Sequence, residues 1–277
     1  MLKNLFKLTV VILLTLLFSK HNIAQNNITC HGGISAQVLI ADTLINGCLT
    51  AHNITANNGA YGYFKKNNSQ FPFASGIIMS TGPITNAQGP NTSGTLGGIV
   101  GSGSDPDLAA LVSGSSINDA CVIQFDFIPA DDVVEFRYIF GSEEFPEFAN
   151  SDFNDVFGFF LSGPGINGPY SNNAVNIALL PNGQPVTIDN VHNGGYYYAY
   201  PSSSQTSAAS YHGAVQYDGN TIVLTATAQV IPCETYHIKL AIGDRGDSNY
   251  DSGMFLESGS FTSGSIIEAF NISEFGG

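Results

Sequence analysis

The amino-acid sequence predicts an all-β protein, a β-sandwich of jelly-roll type with one short helix and long surface loops. Three observations favour this fold class. Apolar and polar residues alternate in many short segments, Gly, Pro, Asn and Ser separate those segments, and beyond about residue 24 no stretch sustains a capped helical period. The apolar fraction of 43% is that of a chain with a hydrophobic core, which argues against wholesale disorder.

The first segment of the chain is predicted to be an export signal. Lys3 and Lys7 precede an apolar run over residues 8–18, and a short polar stretch leads to the small residue Ala24. This order is typical of a signal peptide, here residues 1–24, and the apolar run is too short to span a bilayer comfortably. We therefore expect a secreted or cell-surface protein with no transmembrane segment in the mature chain.

The mature chain is predicted to form a single domain over residues 25–263, followed by a short tail over residues 264–277. One short helix is predicted at about residues 105–112, because Asp105 can cap its start, Pro106 suits its first turn and Gly114 lies beyond its end. Residues 80–103 and 193–213 are rich in turn-forming residues and are predicted to be long loops. Strands are predicted over residues 122–128, 133–140, 156–161, 175–180, 221–228 and 236–242.

All four cysteines follow the predicted cleavage site, so they would enter an oxidising compartment. Four cysteines allow three pairings, and the sequence does not select one of them. We favour Cys30 with Cys48, which bracket a short apolar segment, and Cys121 with Cys233, which each begin a strand-like run. The absence of a C-x-x-C pair disfavours a zinc ribbon or a thioredoxin-type centre, so the predicted role is structural.

Charge is scarce in this chain and mostly acidic. Eight Lys and Arg face twenty-two Asp and Glu, which gives a formal net charge of −14. A nucleic-acid partner is therefore not expected, because phosphate binding needs a basic surface.

Many of the acids lie in two loops that each follow a predicted strand, over residues 140–155 and 243–253. Closely spaced carboxylates raise each other's pKa unless a cation compensates them, and Ca²⁺ takes six to eight oxygen ligands from such groups. The loops therefore suggest a calcium site, although solvated turn acids would give the same pattern. The candidate metal ligands are Glu143, Glu144, Asp152, Asn154, Asp155, Asp244, Asp247 and Asp251.

The same acids permit an enzymatic interpretation. Glu143 or Glu144 with Asp155 or Asp251 would be the acid and base of a glycoside hydrolase. Other nucleophile and phosphate-binding motifs, such as G-x-S-x-G, H-E-x-x-H and the P-loop, are absent from the sequence.

A cluster of tyrosines offers a binding surface of another kind. The chain has no Trp, so rings that stack on sugar faces must be Tyr or Phe. The densest run is Tyr196, Tyr197, Tyr198 and Tyr200, which we predict to bind a ligand. An edge strand with alternate tyrosines packed inward explains the run equally well.

Several motifs in order resemble the choice-of-anchor L domain family: residues 141–148 (GSEEFPEF), 153–165 (FNDVFGFFLSGPG), 217–219 (YDG), 233–244 (CETYHIKLAIGD) and 247–261 (DSNYDSGMFLESGSF). The resemblance covers roughly residues 75–261. It implies an exported bacterial surface protein with an extracellular β-sandwich and no established catalytic activity. Members carry varied C-terminal anchors, whereas only residues 262–277 follow here, so we expect either a released protein or a part of a longer one.

Three functional hypotheses result. The first is a non-catalytic secreted or surface module for adhesion, binding a glycan or a surface protein, with acidic loops that hold calcium. The second is a carbohydrate-active hydrolase that uses the paired carboxylates. The third is a purely structural domain of a larger adhesin or matrix.

Overall fold

The computed structural model describes residues 26–47, 49–114, 116–199 and 213–264. The predicted signal peptide and nearly all of the predicted tail lie outside these residues. The described chain forms two packed antiparallel sheets, which confirms the prediction of an all-β sandwich.

The larger sheet has nine strands in the described chain, and β6 lies at its centre because four other strands pair with it. The spatial order is β1 (Thr29–His31), β3 (Ala60–Lys65), β4 (Ser75–Ser80), β14 (Ser252–Glu257), β6 (Val133–Ser142), β11 (Gly219–Thr221) and β10 (Tyr197–Ala199), while β12 (Leu224–Gln229) and β15 (Thr262–Ser263) also pair with β6.

The smaller sheet has six strands in the described chain and is centred on β13. The order is β2 (Thr50–Ala56), β5 (Ile117–Ile128), β13 (Tyr236–Arg245), β7 (Val156–Ser162) and β8 (Val175–Asn176), with β9 (Val186–Thr187) also paired with β7.

Helices are short and lie between strands. They are α1 (Ala36–Val38), which continues into a π-helical segment (Leu39–Leu44), α2 (Pro106–Leu111) and α3 (Ile188–Gly194), with 3-10 turns at Ile84–Ala87 and Ser171–Asn173. The predicted helix is α2, and its cap is the predicted one, since Asp105 Oδ1 accepts from the backbone N–H groups of Asp107 and Leu108 at 3.0 and 3.1 Å. The sequence analysis did not find α3, which the Thr187 side chain caps.

The main core fills the space between the sheets and is rich in aromatic rings. Phe261, just before β15, lies flat on Phe136 with ring centroids 3.9 Å apart and also contacts Phe125 and Phe127 edge-on. Residues at alternate positions of β5, including Phe125 and Phe127, point into this core and are fully buried. Burying each such ring stabilises the fold by about 1.5–3 kcal/mol.

Smaller clusters cover the two outer faces. Phe64, Phe71 and Phe255 pack together on the far side of the nine-stranded sheet. On the other side, Leu108 of α2 packs in a cluster with Phe160 of β7 against the six-stranded sheet. Each sheet is therefore buried on part of both faces, which explains strands such as β7 in which every residue is buried.

Two predicted strands are shorter than expected because side chains replace ladder hydrogen bonds. In the segment predicted over residues 175–180, Asn176 Oδ1 accepts from the N–H groups of Phe159 and Ala178, and β8 ends there. In the segment predicted over residues 221–228, Thr221 Oγ1 accepts from Phe140 N–H, and the strand divides into β11 and β12.

The predicted pairing of Cys121 with Cys233 is wrong. Cys121 lies opposite Ile242 in β5, whereas the backbone N–H of Cys233 donates to the carbonyl of Pro129, beyond the other end of that strand. Eight extended residues separate Cys121 from Pro129, roughly 27 Å, which is far beyond disulfide reach. Both thiols are free, as is that of Cys30, whose predicted partner Cys48 lies outside the described residues.

The strand register brings several loops to one end of the sandwich. Ser142, the last residue of β6, lies opposite both Ser252 at the start of β14 and Gly219 at the start of β11. In the other sheet, Gly243 near the end of β13 lies opposite Val156 at the start of β7. The residues flanking these five strand ends therefore meet at the same end of the molecule.

Candidate functional site

Six carboxyl groups are buried together where these strand ends meet. We call this set the acidic end, and each of its residues is at most 2% exposed. The members are Glu143 and Glu144 after β6, Asp155 before β7, Asp218 before β11, Asp244 within β13 and Asp251 before β14.

One half of the acidic end joins the two sheets. Asp155 Oδ2 accepts from Ser252 Oγ of the opposite sheet at 2.5 Å, and its Oδ1 accepts from the backbone N–H of Arg245 at 3.1 Å. The backbone N–H of Asp155 in turn donates to the Glu144 carboxyl group, and Asp244 lies close enough to repel Asp155. Glu144, Asp155 and Asp244 thus form one compact group.

The other half is enclosed by the long loop over residues 80–103. Asp251 accepts from the backbone N–H of Gly98 at 2.8 Å and from the Asn86 side chain at 3.0 Å. Asp218 accepts from the Asn91 side chain in the same loop. Glu143 lies near both Asp218 and Asp251. The Gly- and Asn-rich composition of the loop has a structural reason, because its backbone and amide donors hold the carboxylates.

Several oxygens of the acidic end have no well-formed hydrogen bond in the described part of the chain. They are Oε2 of Glu144, both carboxyl oxygens of Glu143, which lie near the Gln216 side chain, and both carboxyl oxygens of Asp244, which lie near Thr81 and Asp155. The Asn220 amide beside them is also unpartnered. An unpartnered buried polar atom is costly, since it has lost its water without a replacement. These atoms are therefore positioned to accept a ligand.

No basic side chain of the described residues compensates this charge. Among the described residues, every ion pair of Lys or Arg lies elsewhere, on Glu257, Asp105 or Asp107. Arg245 is close, but its guanidinium donates to the backbone carbonyl of Asp152 at 2.7 Å. A proton or an external cation must neutralise the acidic end.

The pKa values of the acidic end are raised, first by burial and second by neighbouring carboxylates. Burial and the Asp218 charge raise the pKa of Glu143 to about 9, and burial and the Asp155 charge raise that of Glu144 to about 10. Burial raises the pKa of Asp155 to about 7 and that of Asp251 to about 6. In the absence of a cation, several of these groups carry protons at neutral pH.

Five of the eight predicted metal ligands belong to the acidic end, and the other three lie outside this buried group. Asp152 is exposed, and Asn154 Oδ1 instead accepts from the backbone N–H of Asp189 in α3. Asp247 is half-buried and accepts from the backbone and side chain of Asn249 within its own turn, but it is near enough for its charge to raise the pKa of Glu144 and Asp155. Asp218 was missed because Tyr217-Asp-Gly-Asn resembles an ordinary turn, and only the pairing of β11 with β6 brings it to the acidic end.

The carboxyl groups of the acidic end do not form a ready-made metal cage. Across the described ranges, no three His, Cys, Asp or Glu side chains are arranged to hold a metal ion as they stand. The carboxylate and amide oxygens are nevertheless the donor set that Ca²⁺ prefers. Calcium binding here stays a prediction.

The predicted tyrosine surface is divided between packing and exposure. Tyr197 stacks on Phe145 with centroids 4.6 Å apart and shares a hydrogen bond with His192, and Tyr196 packs against the core. Tyr198 is 39% exposed, and Tyr200 lies outside the described residues. Ligand binding by these tyrosines also stays a prediction.

Within the part of the chain that the structure describes, no helix has the length and apolar character needed to cross a membrane. Comparison with known families matches residues 27–262 to the one described as "Choice-of-anchor L domain". Searches of curated proteins and of solved structures give no match. The matched family is a non-enzymatic type of surface domain, which indicates an exported, surface-associated context. Because the match spans the whole sandwich with its acidic end, the chain belongs to the choice-of-anchor L domain family.

Proposed function

We propose that this protein is a non-catalytic adhesion module of the cell surface whose acidic end binds calcium. The observation that carries the proposal is the burial of six carboxyl groups with no basic partner among the described residues. Ca²⁺ would replace the protons on these groups and fill the unpartnered oxygens of Glu143, Glu144 and Asp244.

Calcium would also organise the surface around the site. The acidic end is enclosed by residues 80–103 and by the turns after β6 and β13, so a bound ion would fix these segments relative to one another. Tyr198 lies in β10, at the same edge of the sheet as β11. We propose that these loops contact an extracellular glycan or surface protein.

The hydrolase alternative has less support. A general acid must reach the glycosidic oxygen of its substrate, and a polysaccharide cannot contact side chains that are as buried as Glu143 and Glu144.

Calorimetric titration of chelator-treated protein tests the calcium site. We expect saturable heat and a higher melting temperature with Ca²⁺, and a much smaller effect with Mg²⁺ at equal ionic strength. The Asp155→Asn variant should lose both signals, whereas Asp152→Asn, which changes an exposed neighbouring residue, should keep them. No heat and no change in melting temperature at millimolar Ca²⁺ would overturn the proposal.

A further inference from the structure

A second polar site lies on the outer face of the six-stranded sheet. It is a cavity of about 440 Å³, within the ~300–1,000 Å³ range of small-molecule sites. Lys239, on its floor, is five residues along β13 from Asp244, roughly 17 Å in an extended strand. The cavity is therefore separate from the acidic end.

Strand register builds the floor of the cavity from two rows of side chains. Lys239 of β13 lies opposite Gln124 of β5 on one side and Phe160 of β7 on the other. Two residues before Lys239 in β13, His237 lies opposite Ser162 of β7. Because side chains two residues apart share one face of a sheet, the rows stand side by side under the cavity.

The ammonium group of Lys239, which reaches from the floor to the wall of the cavity, is fixed in position. Lys239 Nζ lies 2.6 Å from both Asp105 Oδ2 and Asp107 Oδ2, and 4.9 Å from the centre of the Phe160 ring. The other Asp107 oxygen accepts from the backbone N–H and the hydroxyl of Ser171 at 2.9 Å. Although burial opposes it, the hydrogen bonds from Lys239 and Ser171 hold the pKa of Asp107 below its usual value. Such fixed donors and acceptors lose little freedom when a ligand binds.

The remaining lining offers donors and acceptors that the protein itself does not use. Ser102 Oγ is buried at the wall and has no hydrogen-bond partner among the described residues. His237 shares a hydrogen bond with Asp126 through Nδ1 at 2.7 Å, which leaves its Nε2 without a partner in the described chain. Gln124 adds an amide that can both donate and accept.

The charge balance defines the class of ligand. One ammonium lies between two carboxylates, so the wall offers no excess positive charge to an anion. Each carboxylate oxygen already accepts a hydrogen bond, so the wall offers no bare negative charge to a cation. Two carboxylates against one ammonium leave the wall with one net negative charge, which disfavours anions. The mixed donors and acceptors of the lining suit hydroxyl groups, which donate and accept at once.

From these observations we infer that the cavity over Lys239 binds a neutral saccharide of one or two rings. This site goes beyond the proposed calcium function, because its contacts come from the sheet, α2, the Ser171–Asn173 turn and the serines just before α2, and none of the six carboxyl groups of the acidic end lines it. Saccharide binding is therefore expected with calcium and in its absence.

Saturation-transfer NMR with the mature chain tests the inference, using cellobiose, maltose, lactose, xylobiose and chitobiose as probes and glucuronate as an anionic comparison. We expect saturable binding of at least one neutral probe, equal in calcium and in chelator, and weaker binding of glucuronate. Gln124→Phe fills the cavity and should weaken binding at least tenfold, while Gln229→Phe, the same change at an exposed position of β12, should leave it unchanged. If Gln124→Phe unfolds the chain, Ser104→Tyr blocks the cavity from an exposed rim position.

Absence of binding for every neutral probe would overturn the inference, as would binding that Gln124→Phe and Ser104→Tyr leave unchanged or binding of glucuronate alone. These outcomes are distinct from failure of the calcium proposal, which is read from the calcium titration of the same protein.

Discussion

Replacing Glu144 by Gln should stabilise the protein in chelator and weaken its response to calcium. Glu144 is 1% exposed, and its Oε2 has no partner among the described residues. Burial and the Asp155 charge raise its pKa to about 10, against about 4.5 for an unfolded chain, so the fold must take up a proton at neutral pH. Glutamine has the same shape and can still accept from Asp155 N–H, but it needs no proton.

The expected magnitude follows from the pKa difference. At pH 7 the unfolded glutamate is about 2.5 pKa units past its midpoint, and each unit corresponds to about 1.4 kcal/mol. Glu144→Gln should therefore raise the free energy of unfolding in chelator by up to about 3 kcal/mol, or about 6–12 °C in melting temperature. This is an upper limit, because the neighbouring carboxyl groups also titrate when one charge is removed.

Thermal and denaturant unfolding in EDTA and in calcium provide the assay. Wild type should gain about 2.7 kcal/mol when calcium is at 100 times its Kd, and the variant should gain less because one ligand is lost. Glu147→Gln is the matched control, since Glu147 is exposed and lies three residues after Glu144, and its effect should stay within about 0.5 kcal/mol. A Glu144→Gln protein that is less stable than wild type in EDTA, or that keeps the full calcium gain, would refute the reasoning.

Three other predictions concern pH, the core and the thiols. The carboxyl groups of the acidic end have raised pKa values, so the folded chain binds more protons than the unfolded chain between about pH 5 and pH 9. The melting temperature in EDTA should therefore fall as pH rises through this window, and it should fall less steeply in calcium. A melting temperature that rises with pH in EDTA would contradict this prediction. Phe261→Ala should lower the free energy of unfolding in urea by about 3–5 kcal/mol, while Ile231→Ala at a half-exposed site should lower it by well under 1 kcal/mol. Equal losses of stability in the two variants would mean that Phe261 is not a core residue. Exposed Cys233 should react with a thiol reagent in the native protein, whereas Cys30 and Cys121, whose pKa values burial raises to about 12, should react only after unfolding. Native mass spectrometry that finds Cys233 blocked would contradict the prediction that its thiol is free.

Local patterns predicted the elements whose signals are local. The alternation of residues 122–128 and 236–242 identified β5 and β13, and Asp105 with Pro106 identified the start of α2. The shortening of β8 could not be predicted, because the bond from Phe159 N–H to Asn176 depends on which strand lies alongside.

The candidate site was predicted only in outline, for a similar reason. Acids near strand ends indicated which loops to consider, and five of the eight residues are at the acidic end. Whether a given acid points inward depends on strand register, and this separates buried Asp155 from exposed Asp152. Register also explains the incorrect cysteine pairing, because Cys121 and Cys233 begin neighbouring strands from opposite ends of the sheet.

The position of β6 has a consequence for the order in which the sandwich folds. This strand lies near the middle of the chain, but β11, β12, β14 and β15, which pair with it, follow more than seventy residues later. Closing such distant pairs is slow, and the Phe261 ring needed to fill the core arrives with the last of them. The leading part of the chain cannot complete either sheet by itself. We therefore expect the sandwich to close only after its C-terminal strands are available.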